Sequence, residues 1–438
     1  MATPQIDSTG GRRVEVFAWA LYDWANSAYS TLSITILFFY IQLISPDRWG
    51  PVVWAWGISL SMLVAAVLSP IVGAMADARR SKRAWLAATA LGGSAAAVAL
   101  ALVPPNFTWA IFALFVAMSL CFELSLGFYN GFLPEIADEQ SMNRVSAWGY
   151  ALGYLGGALA LVLAVLLMRY GTAIGLPEQA DQLRAGIFVM GLWWGLFTMP
   201  TLWILRDRGV RPKHRPATVR IVAGALAEVG RTLRSVRHYR TLGWFLLGFL
   251  LYNDGIQTVI SQASPFAKEV LSFEPEELIG LVLMIQFVAL PGAMVVGHLA
   301  DFLGQKRMLL TCLGVWVALV TVAFFVTTKT QFWILGVVLA LVMGGTQSVS
   351  RAIMGVMTPP SRTAEFFGFF NLSGKATSFL GTFLFGAIIA AGNNVGWAAS
   401  ESTRWAVLSL VMFFVLGWLI VGRIDVEQGR REAQTEPS

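Results

Sequence analysis

Twelve stretches of the 438-residue chain run for roughly 20 residues with almost no charge, the length a helix needs to cross a bilayer. They lie near 17–44, 52–75, 84–103, 108–132, 146–169, 186–205, 241–267, 277–300, 307–326, 331–357, 367–391 and 403–422. In hydrocarbon the backbone has no water to bond to. Each run must satisfy its own N–H and C=O groups, which only a helix or a closed barrel achieves. Composition excludes a soluble fold: 56% of residues are hydrophobic and 13% charged, about half the charged share of soluble domains. The reading is an all-α membrane protein with twelve transmembrane helices. The first run is no cleavable leader, since it is long, holds Asp23 and lacks a small-residue cleavage site.

Basic residues set the orientation. With the N-terminus inside, 25 of the 31 Lys and Arg fall on the inner side and 6 outside. This predicts cytoplasmic N- and C-termini in a bacterial-type inner or plasma membrane. Trp49, Trp54, Trp109, Trp397 and Trp405 fall near span ends, where amphipathic rings favour the headgroup layer. The net charge of +6 suits a membrane surface. Nucleic-acid binding is the weaker reading, because the charge is concentrated in one stretch, 206–240. There Val222, Leu226, Val229, Leu233 and Val236 recur at helical spacing while Arg231, Arg234 and Arg237 fall elsewhere, the pattern of an amphipathic helix on the inner leaflet.

That segment divides the chain into an N-terminal six-helix bundle (1–205), the basic linker (206–240), a C-terminal six-helix bundle (241–426) and a tail (427–438). The halves echo each other. GAMADARRSKR (73–83) follows the second span and GHLADFLGQKR (297–307) the eighth, at a constant offset of 224. Leu21-Tyr22-Asp23 opens the first span and Leu251-Tyr252-Asn253-Asp254 the seventh. Each half has an even number of spans. The repeats are therefore parallel, related by an axis along the membrane normal, with a substrate site expected between the halves at mid-depth.

Both loops resemble motif A of the major facilitator superfamily, Gly-x-x-x-Asp-x-x-Gly-Arg-Lys/Arg-Lys/Arg. The resemblance implies two conformational latches, Gly73, Asp77 and Arg83 in one half and Gly297, Asp301 and Arg307 in the other. In each, the glycine admits a neighbouring helix and the aspartate holds its end. Arg80 and Ser81 replace the Gly-Arg pair of the first copy, and Gln305 replaces the Arg of the second. Arg144 and Glu365, which open spans at the inner face, are assigned to the latch as well. A narrower resemblance is Tyr22-Asp23-Trp24-Ala25-Asn26-Ser27-Ala28-Tyr29, which is similar to the hallmark of the vacuole-effluxer (unknown-major-facilitator) branch. The stretch 365–375 and the regions around Asn130–Pro134 and 153–157 also match that branch. The resemblance implies the major facilitator fold, two pseudo-symmetric six-helix bundles, and export of neutral amino acids or similar metabolites.

Polar groups at membrane depth carry the expected chemistry, because an ionisable side chain there costs about 2.5–3.5 kcal/mol. Tyr22, Asn26, Tyr29 and Ser33 share one face of span one, with Asp23 beside them. Asn253, Gln257, Ser261 and Ser264 share one face of span seven, with Asp254 alongside. Glu123 and Asn130 lie on span four, Gln347 and Arg351 on span ten, and Asn371 and Lys375 on span eleven. By resemblance these are cavity-lining or flanking spans. Arg351 with Lys375 is read as receiving a substrate carboxylate. Asp23, Asp254 or Glu123 is read as receiving an ammonium group or a coupling proton. The bland alternatives are that Asp23 caps its helix and that Arg351 and Lys375 snorkel to the interface. No nucleotide loop, nucleophile elbow, zinc signature or dinucleotide fingerprint is present, and His214, His238 and His298 lack ligand spacing. The reading is a monomeric, proton-coupled secondary transporter by alternating access, with no enzyme activity, cofactor or metal. The competing readings are efflux of drug-like, amphipathic or lipid-like compounds, and a receptor or scaffold that keeps the fold without transport.

Overall fold

A computed structural model describes residues 8–45, 50–208, 239–375 and 378–434. Most of the expected basic linker, 209–238, and Trp49 lie outside the described residues. In order, the helices are α1 (Ser8–Leu32), α2 (Phe38–Ile44), α3 (Gly50–Arg79), α4 (Lys82–Leu102), α5 (Thr108–Asn130), α6 (Leu133–Ile136), α7 (Met142–Arg169), α8 (Gln179–Ile204), α9 (Arg240–Leu271), α10 (Pro275–Leu303), α11 (Gln305–Phe325), α12 (Lys329–Met357), α13 (Thr363–Lys375), α14 (Ser378–Val395), α15 (Ala399–Ser409), α16 (Val411–Arg423) and α17 (Val426–Gln434). A π-helical turn, Ser33–Leu37, joins α1 to α2.

Among the described residues, ten helices are long and apolar enough to cross a membrane. The expected seventh and eleventh spans are helical too. The seventh is α9, whose polar stripe lowers its hydropathy. The eleventh is met by α13 and α14, which includes the shorter apolar stretch Leu380–Gly392. Apolar side chains face outward along the bundle, among them Trp109 (83% exposed), Trp203, Phe302 and Phe383. In water such a surface would be untenable, and against acyl chains it costs nothing.

Local chemistry explains where helices begin. Glu274 and Glu277 close a capping box on α10, with Pro275 in the first turn. Thr328 and Gln331 do the same for α12. The turn between α3 and α4 places Arg80 at φ 51°, and the matching turn between α10 and α11 places Gly304 at φ 87°. The two positions are 224 residues apart, so the repeat extends to a positive φ in its turn.

The chain forms two compact units. Unit one groups Met1–Asp138, Leu152–Gly230 and Pro360–Phe369, so far as these are described, and unit two groups Glu139–Ala151, Arg231–Pro359 and Phe370–Ser438. Their internal packing is the same. In unit one α3 packs on α5, α4 on α5 and α8, and α1 on α8. In unit two α10 packs on α12, α11 on α12 and α16, and α9 on α16. Each unit also holds a short helix end from the other sequence half: the start of α13 in unit one and the start of α7 in unit two.

Candidate functional site

In unit one the polar face of α1 turns inward. Tyr22 is fully buried, and Asp23, Asn26, Tyr29 and Ser33 are nearly so. The Tyr29 hydroxyl donates to Ser119 Oγ on α5 at 2.7 Å, and its ring lies 4.3 Å from that of Phe122. The Asn26 amide donates to Asp23 Oδ1 at 3.5 Å. Tyr22 packs on Tyr129, which stacks on Trp19 at 4.6 Å. Glu123 is half-buried on α5, and Asn130 is buried at the end of that helix. Asp23, Glu123 and Asn130 thus share one unit with the α1 stripe.

In unit two α9 carries Asn253, buried, Asp254, fully buried, and Gln257, half-buried. The Tyr252 hydroxyl meets Ser350 Oγ on α12 at 2.7 Å. Gln347 on α12 and Asn371 on α13 are half-buried. Lys375 is the last described residue of α13, and the side chains of Lys375 and Ser264 lie outside the described ones. Arg351 is buried, with Nε donating to Ser146 Oγ at 3.0 Å and Nη2 to the Ser146 carbonyl at 2.7 Å. Its guanidinium also covers the Tyr150 ring at 4.1 Å. It grips the start of α7 through these contacts.

The first motif A loop clamps the start of α13. A side-chain Cβ at Gly73 would sit 2.8 Å from the Ala364 carbonyl oxygen, so only glycine lets that backbone come so close. One turn on, Asp77 accepts the backbone N–H of Ala364 at 3.2 Å and of Glu365 at 3.0 Å. These are orphan first-turn donors, and a carboxylate suits them both by hydrogen bonding and by the helix dipole. The cation here is Lys82 and not Arg83. Lys82 Nζ lies 4.0 Å from Asp77, pairs with Glu135, and donates to Thr363 Oγ1 at 2.7 Å and the Gly131 carbonyl at 3.2 Å. Arg83 is exposed; its backbone N–H goes to Asp207. Burial holds the Asp207 carboxyl above its ordinary pKa, against the opposing pull of the Arg83 N–H.

The second loop differs. A Cβ at Gly297 would lie 2.4 Å from that of Ala147 on α7. Asp301 is held by side chains, accepting from the Asn143 amide at 3.1 Å and pairing with Arg144 at 3.0 Å. Arg307 is exposed and lines, with Asn143, Arg144, Asp301, Lys306 and Arg430, a cleft of about 910 Å³. Arg144 is 55% exposed, whereas Lys82 and Asp77 are under 10%. A solvated pair is worth about 0.2–1 kcal/mol; breaking a buried one costs about 3–5 kcal/mol. The first latch is therefore the stiff one.

Sequence reasoning missed Lys82, Glu135 and Ser146. Lys82 sits in a basic loop and reads as solvated; nothing local reveals that α6 brings Glu135 to it. Among the described residues no group of His, Cys, Asp and Glu could hold a metal ion.

Comparison with known proteins gives a consistent pattern. The family described as vacuole effluxer Atg22 like matches residues 53–434. A Bacillus subtilis (strain 168) protein, described as an uncharacterized MFS-type transporter YxiO, is 30% identical over 429 residues, 96% of each chain. Autophagy-related protein 22-1 of Neosartorya fischeri is 29% identical over 313 residues, covering 66% of this chain and 49% of that one, so the chain spans about half the length of that fungal relative. Among solved structures, the human organic anion transporter MFSD10 (TETRAN) has the same fold, with a TM-score of 0.71 over 96% of this chain and 100% of that one at 11% identity.

Proposed function

Because this chain belongs to the Atg22-like vacuole effluxer family of the major facilitator superfamily and is an integral membrane transporter, not an enzyme, we propose that it exports neutral amino acids or similar zwitterionic metabolites, coupled to protons, by alternating access. The observation that carries this reading is the buried polar face of α1, Tyr22, Asp23, Asn26 and Tyr29, inside an otherwise apolar bundle. Such groups are costly in hydrocarbon, and a polar small-molecule pathway repays them. Asp23, Glu123 and Asp254 serve an ammonium group or a proton. Asn130, Asn253, Gln257, Gln347 and Asn371 complete the hydrogen bonding. Carboxylate recognition falls to Lys375, since the Arg351 guanidinium already has Ser146 and Tyr150. The protein sits in a bacterial-type inner or plasma membrane with both termini cytoplasmic and acts as a monomer.

Efflux of amphipathic compounds is less well supported. Trp19, Tyr129 and Trp194 are fully buried in helix packing, so these aromatic rings are not left to line a greasy cavity. Labelled amino acids and dyes, tested in proteoliposomes with and without an imposed pH gradient, decide the matter. Gradient-driven movement of a neutral amino acid, slowed by Glu123→Gln, is expected. If dyes move and amino acids do not, the substrate class is wrong; if nothing moves, the transport reading fails.

A further inference from the structure

In unit two, one fully buried carboxylate has half its bonding capacity unused. Asp254 on α9 has no solvent exposure. Its Oδ2 accepts the backbone N–H of Gly381 at 2.9 Å, while Oδ1 has no partner. One turn along the same face of α9, Thr258 is equally buried and its hydroxyl also lacks a partner. The fit at Gly381 is tight: a Cβ there would lie 2.2 Å from Thr258 Oγ1. Gly381 lies in α14, so the carboxylate holds the α14 backbone with one oxygen and leaves the other without a partner, one helical turn along α9 from a hydroxyl that also has none.

We propose that Asp254 is the residue that carries the coupling proton, with Thr258 as the acceptor for the protonated carboxyl and the α14 backbone at Gly381 as the element that senses it. This rests on the proton-coupled reading above. The chemistry favours a proton over a metal cation. Two oxygens satisfy a proton, whereas a hard metal cation takes six or more. Protonation on Oδ1 turns an acceptor-only group into a donor, and the unpartnered Thr258 oxygen lies one turn away. It also removes the charge from the group that holds the α14 backbone at Gly381. A charge-assisted hydrogen bond is about twice as strong as a neutral one, so the grip on the Gly381 N–H loosens as the proton arrives.

Competing charges are few on the elements packed against α9. Among the described residues α14 has no ionisable side chain, and α16 has only Arg423. α15 has Glu401 and Arg404, and α12 has Lys329 and Arg351. α17 holds Glu427, Arg430, Arg431 and Glu432. α9 itself has Arg240, Lys268 and Glu269. α13, which touches α9 through Phe370 and Phe249 at 4.1 Å, carries Glu365 and Lys375. Among the described side chains none forms an ion pair with Asp254. Lys329 binds Glu277 at the far end of its helix, Arg351 binds Ser146, and Glu365 pairs with Arg362. Glu432 caps the start of α9 through Thr241.

The test needs no substrate. Amide hydrogen exchange of the full-length protein is followed over 378–395 between pH 5 and pH 8.5, corrected for the intrinsic pH dependence of exchange. Wild type is expected to exchange at least threefold faster around Gly381 at low pH. Asp254→Asn, which keeps an acceptor and cannot titrate, is expected to abolish that dependence. Thr258→Val, which retains Asp254 should Asp254→Asn fail to fold, is expected to keep the transition but move its midpoint about 0.5–1 pH unit toward acid, the equivalent of one hydrogen bond. A flat wild-type profile, an unchanged profile in Asp254→Asn, or an unmoved midpoint in Thr258→Val overturns the proposal. Gradient-driven transport alongside a flat profile would overturn this assignment alone. A titrating α14 in a protein that moves nothing would overturn the transport reading and leave the proton site standing.

Discussion

Asp77 Oδ2 accepts the backbone N–H of Glu365 at 3.0 Å, across 288 residues of sequence. The bond makes a carboxylate from the last turn of α3, in the first half of the chain, the N-terminal cap of a helix from the second. Losing a cap of this kind costs about 0.5–2 kcal/mol. Asp77→Ala is expected to lower the thermal midpoint in detergent and to speed thiol labelling of a cysteine at Thr363 several-fold. An unchanged labelling rate would mean that the cap does not hold α13 in place.

Lys82 gives a larger effect. Replacing it with Met strands Glu135 and Asp77 as buried carboxylates, for an expected loss of about 3–5 kcal/mol. Lys82→Met combined with Glu135→Gln should recover much of that loss, because the charge left behind is the cost. Asp301→Asn in the solvated second latch should cost under about 1 kcal/mol. Thermal denaturation of the set gives the ranking; equal losses in both latches would refute the assigned asymmetry.

The loops around these residues show what hydropathy can and cannot convey. Apolar runs long enough to span a membrane, the repeat at offset 224 and the α1 stripe are local periodicities, and the helices follow them. Gly73 and Asp77 were legible because the resemblance to motif A implies them, one helical turn apart. Lys82 and Arg83 were indistinguishable in sequence: adjacent, basic and beside a helix start. Which one is buried depends on α6 bringing Glu135, a long-range event with no local signature. Arg351 is similar. Its depth was readable from position, but its partners, Ser146 and Tyr150, come from the start of α7, and only packing brings them there.

Arg80 occupies a left-handed backbone conformation at φ 51° where the repeat has Gly304 at φ 87°. A non-glycine residue pays about 1–2 kcal/mol there. Glycine gives back part of that through the greater freedom of its unfolded chain. Arg80→Gly is therefore expected to stabilise by up to about 1 kcal/mol, seen as a higher thermal midpoint in detergent. A fall would show that the Arg80 side chain contributes more than its backbone costs.

Glu277, at the start of α10, is bonded by Lys329 Nζ at 2.6 Å and by the backbone N–H of Glu274 at 2.8 Å. The Lys329 hydrogen bond comes first in holding its carboxyl below the ordinary 4.5. A carboxyl depressed in the folded state binds its proton more weakly folded than unfolded. Its contribution is therefore full above the unfolded value and is lost as pH falls through the folded one. Wild type should be the more stable of the pair at pH 7, with the difference from Glu277→Gln shrinking below about pH 4.5. Because the pair is solvated, salt should shrink it too. Thermal midpoints of the two proteins between pH 3 and pH 7, at low and high salt, measure this; a gap that stays constant with pH would show that Glu277 is held by packing and not by its charge.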